Sequence, residues 1–245
     1  MSEIVRDMVE TYHQRVDFLR AEVRLTLQIK ALCRRAGGEA GGEDALYAAA
    51  VDGKGEHPLA GPMALHLGPL VAARSGIEAA RKAEERKLVK LAKALPVYPW
   101  VESQRGLGAL GLAQIVGEAG DLSGYANPAK LWKRMGLAVI DGGRQRKVEG
   151  AAALLHGYNP QRRSVMWNIG DSAIRATGGQ FRAVYLERKE VELKRAAEEG
   201  LIVLPAAKIP FGEKARYRSE GHVHARAKRY MEKRILRDLW REWRR

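Results

Sequence analysis

From Glu3 to Ala36 apolar residues recur at spacings of four and three, alternating as far as Val23: Val5, Val9, Tyr12, Val16, Leu19, Val23 and then Leu27, with charges between them. This pattern leaves a chain few options. On a helix turning every 3.6 residues the set forms one stripe, and the stripe must lie against another helix to leave water. The spacing therefore predicts one long helix over 3–36 with a coiled-coil seam. Gly37-Gly38 and Gly41-Gly42 stop it, and a Gly- and Pro-bearing connector runs to about Pro62. A second helical stretch follows, with Ile77, Ala80, Leu88, Leu91 and Leu95 on one side and a polar run from Ala80 to Lys90 on the other. It ends before Pro96. Two such helices either fold back as an antiparallel hairpin or share the seam with a second copy of the chain. Periodicity is the same in both cases.

Beyond Pro96 the texture changes to shorter units set apart by Gly and Pro. Helices are expected near 98–104, 109–119, 127–135, 160–176, 180–199 and 221–243, with turns at Gly106, Gly120, Gly142-Gly143, Gly157 and Gly178-Gly179. Residues 201–219 read as a loop or one short strand. Around 137–149, Gly-Leu-Ala-Val-Ile, then Asp-Gly-Gly and Arg-Gln-Arg-Lys-Val, suggests a minor β-ribbon. The fold class expected is mostly α: long coiled-coil helices over 1–95, then a compact helical domain over 96–245 with at most that ribbon.

The 245 residues are 46% hydrophobic, enough for an ordinary core, which argues against a disordered chain. No apolar run suits a membrane span, and the start lacks the features of a signal peptide. The single cysteine, Cys33, can form neither an intrachain disulfide nor a cysteine zinc site, and a reducing, cytoplasmic setting fits. A net charge of +14 is distributed unevenly. Lys and Arg match Asp and Glu at 16 each over residues 1–127, but outnumber them 14 to 6 over 128–195 and 12 to 5 over 213–245. Segregated like charges repel, whereas a polyanion releases counterions when several Lys and Arg meet its phosphates. The excess therefore points to nucleic acid as the partner, against the plainer reading of a solubilising surface.

The most specific local pattern is the run from Val101 to Ala113. Arg105, Gly106, Leu107 and Gly108 place an apolar residue between two glycines, as in a helix-hairpin-helix motif. There the glycines allow a tight turn and close approach to a phosphate at a helix start. A plain turn between helices has the same pattern. A second candidate is Lys130, Lys133 and Arg134 on a helix with Arg144, Arg146 and Lys147 after the double glycine, a set able to straddle a backbone. Arg162 and Arg163 directly precede Ser164, a setting that could hold a phosphate. The run from Arg226 to Arg245 is basic and contains Trp240 and Trp243, whose spacing with Ile235, Leu236 and Leu239 favours core packing over stacking. His222 and His224 are two apart and diverge on a helix, so they do not clasp a metal. Asp121, Asp141 and Asp171 form no carboxylate cluster by spacing. Neither a metal nor a cofactor is expected.

Residues 96–245 resemble the C-terminal domain of the insertion-sequence 110/116/902 transposase family. The likeness rests on ordered blocks: Arg105 to Ala113, Ile115-Val116-Gly117-Glu118-Ala119-Gly120-Asp121, Tyr125 to Leu137, Asp141-Gly142-Gly143, Gly150, Gly157-Tyr158-Asn159 with Arg163, and the closing helix from His222. The long helices before residue 95 resemble the spacer that precedes this domain. Two departures limit what carries over. The family's RuvC-type nuclease domain with its four carboxylates is not in this sequence, and Asp141 stands where the family has a nucleophilic serine before a double glycine. A carboxylate does not replace a serine hydroxyl in forming a phosphodiester link to DNA. The resemblance implies a non-catalytic DNA-binding protein of a prokaryotic nucleoid or phage-infected cell, self-associating through its N-terminal helices. Structured RNA is the alternative ligand; the alternative roles are a recombinase subunit completed by a separate nuclease chain and a structural nucleoprotein adaptor.

Overall fold

The computed structural model describes residues 2–37, 42–213 and 215–245. Among the described residues the chain is mostly helical, with two small two-stranded sheets. It divides into two compact units: residues 10–88, and residues 89–245 together with those up to Val9. No helix among the described residues is long and apolar enough to cross a membrane.

In the first unit α1 (Glu3–Gly37) and α3 (Ala60–Lys93) run antiparallel. The direction is fixed by ion pairs: Arg15 reaches Glu85 at 2.8 Å, while Glu22 accepts from Arg81 at 2.7 Å. The stripe on α1 begins as the spacing predicts, with Val5, Tyr12 and Val16 buried, but then leaves the heptad. Val23 and Leu27 are 49% and 62% exposed, whereas Ile29 and Cys33 are fully buried. A straight helix drifts about 20° per heptad from a strict seven-residue repeat, so without supercoiling the buried face moves on to the next residues. Of the glycines expected to end this helix, Gly38 and Gly41 lie outside the described residues.

The expected connector holds a further helix, α2 (Gly42–Val51). Glu43 and Asp44 in its first turn suit the positive helix start, and each also meets α1: Asp44 pairs with Lys30 at 2.9 Å and Glu43 with Arg34 at 3.3 Å. Leu46 fills a small core with Ile29, Cys33, Met63 and Leu67. Cys33 is free there, and burial pushes its thiol pKa up. Helix α3 starts two residues before Pro62, which sits in the first turn where an amide hydrogen has no intrahelical partner to lose.

The second unit follows the expected helices closely: α4 (Tyr98–Ser103), α5 (Gly108–Ala119), α6 (Pro128–Arg134), α8 (Pro160–Arg175), α9 (Gln180–Glu198) and α10 (Glu220–Trp243). A short α7 (Ala151–His156) was not expected from the sequence. Asn127-Pro128 and Asn159-Pro160 start α6 and α8 alike, the asparagine oxygen accepting early amides and the proline taking the first helical position. Helix α10 is the centre of the unit, packing against α9, α8 and α6. It buries Val223, Ala227, Met231, Ile235, Leu236 and Leu239. Trp240 and Trp243 lie half-buried beside this core, their indole N–H groups donating to the Tyr125 carbonyl and to Asp121. These tryptophans thus pack and bond within the unit, as their helical spacing indicates.

The ribbon near 137–149 is present as β1 (Val139–Ile140) and β2 (Gly143–Arg144), an antiparallel pair. The segment 201–219 holds two strands instead of one at most: β3 (Ile202–Leu204) and β4 (Tyr217–Ser219) pair in parallel. Neither three-residue strand is marked by alternation long enough to read, because each gains its partner from across the intervening loop.

Candidate nucleic-acid interface

The basic hairpin is built by two residues at its tip and one at its base. Asp141 and Gly142 both have positive φ, 49° and 73°, the conformation a two-residue turn between right-twisted strands requires. Gln145 is 4% exposed, and its side chain holds the hairpin to its neighbours. The amide nitrogen donates to the Lys133 carbonyl at 3.0 Å and the His156 carbonyl at 2.6 Å, and its oxygen accepts from the Ala138 amide at 3.1 Å. With Gln145 turned inward, Arg144, Arg146 and Lys147 remain exposed.

Those three side chains form part of the wall of a cleft of about 980 Å³. Arg163 of α8 and Arg188 of α9 line it, and α10 contributes Arg226, Arg229 and Lys233. Glu192 is the only carboxylate among the lining residues. It is 1% exposed and already engaged by three guanidiniums: Arg188, Arg226 at 2.9 Å and Arg195 at 3.6 Å. Arg144, Arg146, Lys147, Arg229 and Lys233 have no ion-pair partner among the described residues. Burial, then the nearby charges of Arg163 and Arg144, hold Arg229 below the usual arginine pKa. Lys233 is lowered by burial and by Arg229. A second groove of about 630 Å³ adjoins along the hairpin and shares Lys233, adding Lys130, Lys133 and the carboxylate of Asp141.

Beneath the cleft, α8 and α10 meet through buried charge. Gly170 makes the approach feasible, since a Cβ there would stand 2.8 Å from both Glu232 Oε1 and Lys228 Cε. Lys228 is fully buried, donates to Asp171 and lies 3.4 Å from the centroid of the Trp167 ring. Arg163 pairs with Glu232 at 3.0 Å. Burial pushes the Glu232 carboxyl up to about 7 despite the arginine beside it.

The sequence candidates separate into two sets. Arg144, Arg146, Lys147 and Arg163 share the first cleft, and Lys130 and Lys133 line the adjoining groove. Arg134 and Arg162 instead hold Glu118, the former donating to its carbonyl at 3.0 Å and the latter to its carboxylate at 3.3 Å. The turn at 105–108 does join two helices, α4 and α5, yet it lines neither groove. Gly106 has φ 89° and faces α8: a Cβ would meet Ala173 Cα at 2.7 Å. Leu107 is buried, and Arg105 donates to the Thr177 carbonyl at 3.0 Å. Only Gly108, with φ 63° and nothing near its Cβ position, is open. Ser164 donates to the Pro160 carbonyl.

Arg188, Arg226, Arg229, Lys233 and Gln145 belong to the site but are not among its sequence candidates. Arg226, Arg229 and Lys233 follow i, i+3, i+7 spacing, one face of a helix, a signal present in the run. Nothing local marks Gln145. His224 bonds Tyr185 at 2.8 Å, while His222 lines the cleft. Among the described residues no group of three or more His, Cys, Asp or Glu is placed to hold a metal ion. Comparisons with family models, curated proteins and solved structures give no match to this chain.

Proposed function

We propose that this chain binds nucleic acid, with DNA as the first ligand, by phosphate contacts along the two grooves beside the β1–β2 hairpin. One observation carries the reading. Eight cationic side chains line the larger cleft against one carboxylate that is itself held by guanidiniums. Keeping so many like charges together is unfavourable without a polyanion, and phosphate binding there releases counterions. Contacts of this kind set affinity and register without reading bases, so binding is only weakly sequence-specific. The likeness to a transposase C-terminal domain supports DNA as the ligand. Asp141, at the position of that family's serine, supports binding without strand cleavage or joining.

Fluorescence anisotropy with one duplex at about 50 and about 200 mM salt tests it. The parent should lose affinity steeply between these conditions. The triple variant Arg144→Ala, Arg229→Ala, Lys233→Ala should bind more weakly and show a log–log salt slope smaller by about three, one per lost phosphate contact. An unchanged slope in the folded triple variant would reject the cleft as the interface. Equal loss for structured RNA, with tighter binding by the parent, would reassign the ligand to RNA.

A further inference from the structure

Aromatic side chains share the larger cleft with the arginines. Trp167 is 39% exposed and Tyr230 37%, and both line it together with Tyr158. Trp167 lies one turn after Arg163 on the same face of α8, and the Arg163 guanidinium carbon is 5.6 Å from its ring centroid. The ring is held from beneath: the Lys228 ammonium covers one face and is itself fixed by Asp171, and His224 meets its edge at 6.3 Å. A large, partly exposed ring, immobilised by a buried charge in a cleft that also holds Arg144 and Arg229, which have no ion-pair partner among the described residues, is a stacking platform next to a phosphate site. Size points the same way. About 980 Å³ is at the upper end of pockets that enclose small molecules, room for a short unpaired segment or one extruded nucleotide and its neighbours. A duplex keeps its bases stacked inside and presents only backbone and groove edges to such a wall.

We infer that the cleft takes an unpaired stretch of nucleic acid, its phosphates on Arg144 and Arg229 and a base stacked on Trp167. This rests on the nucleic-acid reading above and narrows its ligand to single-stranded, gapped or extruded segments. Stacking tolerates every base, so the preference is for unpaired structure and not for sequence.

The test compares an oligothymidylate carrying one 2-aminopurine with the same strand annealed to its complement, using the full chain. Folding is checked by circular dichroism and melting. The parent should bind the single strand more tightly than the duplex and quench the 2-aminopurine on binding. Trp167→Leu should weaken single-strand binding about tenfold and abolish quenching, with a smaller loss on the duplex. Trp167→Phe, which keeps a ring, should retain most of both. The inference is overturned if the parent binds duplex as well as single strand or leaves 2-aminopurine fluorescence unquenched, or if folded Trp167→Leu binds the single strand like the parent. Arg144→Ala with Arg229→Ala separates the two readings: loss on both ligands sustains the cleft as a phosphate site even where stacking fails, and no loss on either rejects both.

Discussion

Residues 10–88 carry 12 Lys and Arg against 11 Asp and Glu, whereas residues 89–245 carry 30 against 16. In the first region charge is matched across helices. Arg15, Glu22, Arg81 and Glu85 form a partly exposed ladder, and Lys30 and Arg34 meet the acids of α2. In the second, Glu192 and Glu232 are buried beneath a cleft that cations line. Balanced charge joins the helices of the first region; unbalanced charge in the second leaves cations of the cleft without ion-pair partners among the described residues. Three measurements can break or sharpen that contrast.

The largest effect expected lies under the cleft. Glu232 has a folded pKa near 7 against an ordinary 4.5, so the folded state holds this proton longer than the unfolded state does. Stability is then undiminished below pH 4.5, falls as pH rises towards 7 and levels off above it. The loss should be about 3 kcal/mol across that window, measured by urea unfolding at a series of pH values. His222 and His224, both lowered mainly by burial, act in the opposite direction as pH rises towards 6.5. The diagnostic is therefore the difference between parent and Glu232→Gln curves. A Glu232→Gln protein with the parent's full pH dependence would show that this buried acid is not under strain.

The ladder should behave differently. Arg81→Ala removes bonds to Glu22 at 2.7 Å and Glu85 at 2.8 Å, both from partly buried side chains. A cost of about 1–2 kcal/mol is expected. Because arginine stays protonated, that cost should be nearly the same at about pH 6 and about pH 9. A cost that changes strongly between these values would mean the two regions handle charge alike.

Long helices were the most legible part of this sequence, and their legibility had a clear limit. Caps and periodicity placed α4, α5, α6, α8, α9 and α10 to within a residue or two, since Asn-Pro starts and Gly stops are local chemistry. Helix α2 was hidden by the glycines on either side of it, and β3 with β4 by their dependence on each other across a loop. Half of the candidate site could be read as basic clusters. The other half could not, because whether an arginine is available depends on the nearest carboxylate in space: Arg162 and Arg163 are held by Glu118 and Glu232, whereas Arg144 and Arg229 have no ion-pair partner among the described residues. Gly106 and Gly108 differ likewise, one pressed on α8 and the other open, although both satisfy the same turn pattern.

The smallest effect concerns the seam. Val23 continues the heptad of Val9 and Val16 and Leu27 lies one turn further on, but they are 49% and 62% exposed, while Val16 is 4% exposed. Replacing a side chain already in water removes little packing, so Val23→Asp should change the unfolding free energy by less than about 0.5 kcal/mol. Val16→Asp buries an unpaired charge and should be strongly destabilising. This asymmetry belongs to a hairpin whose stripe is satisfied within one chain. A stripe shared between copies would place Val23 and Leu27 at the centre of an interface, and a carboxylate there would then lower the assembled mass. Light scattering of parent and Val23→Asp at tens of micromolar, about the range in which a typical coiled coil assembles, decides between them. The same mass for both proteins keeps the first region as a self-contained hairpin, whereas a loss of mass in Val23→Asp would assign its exposed valine and leucine to a second copy of the chain.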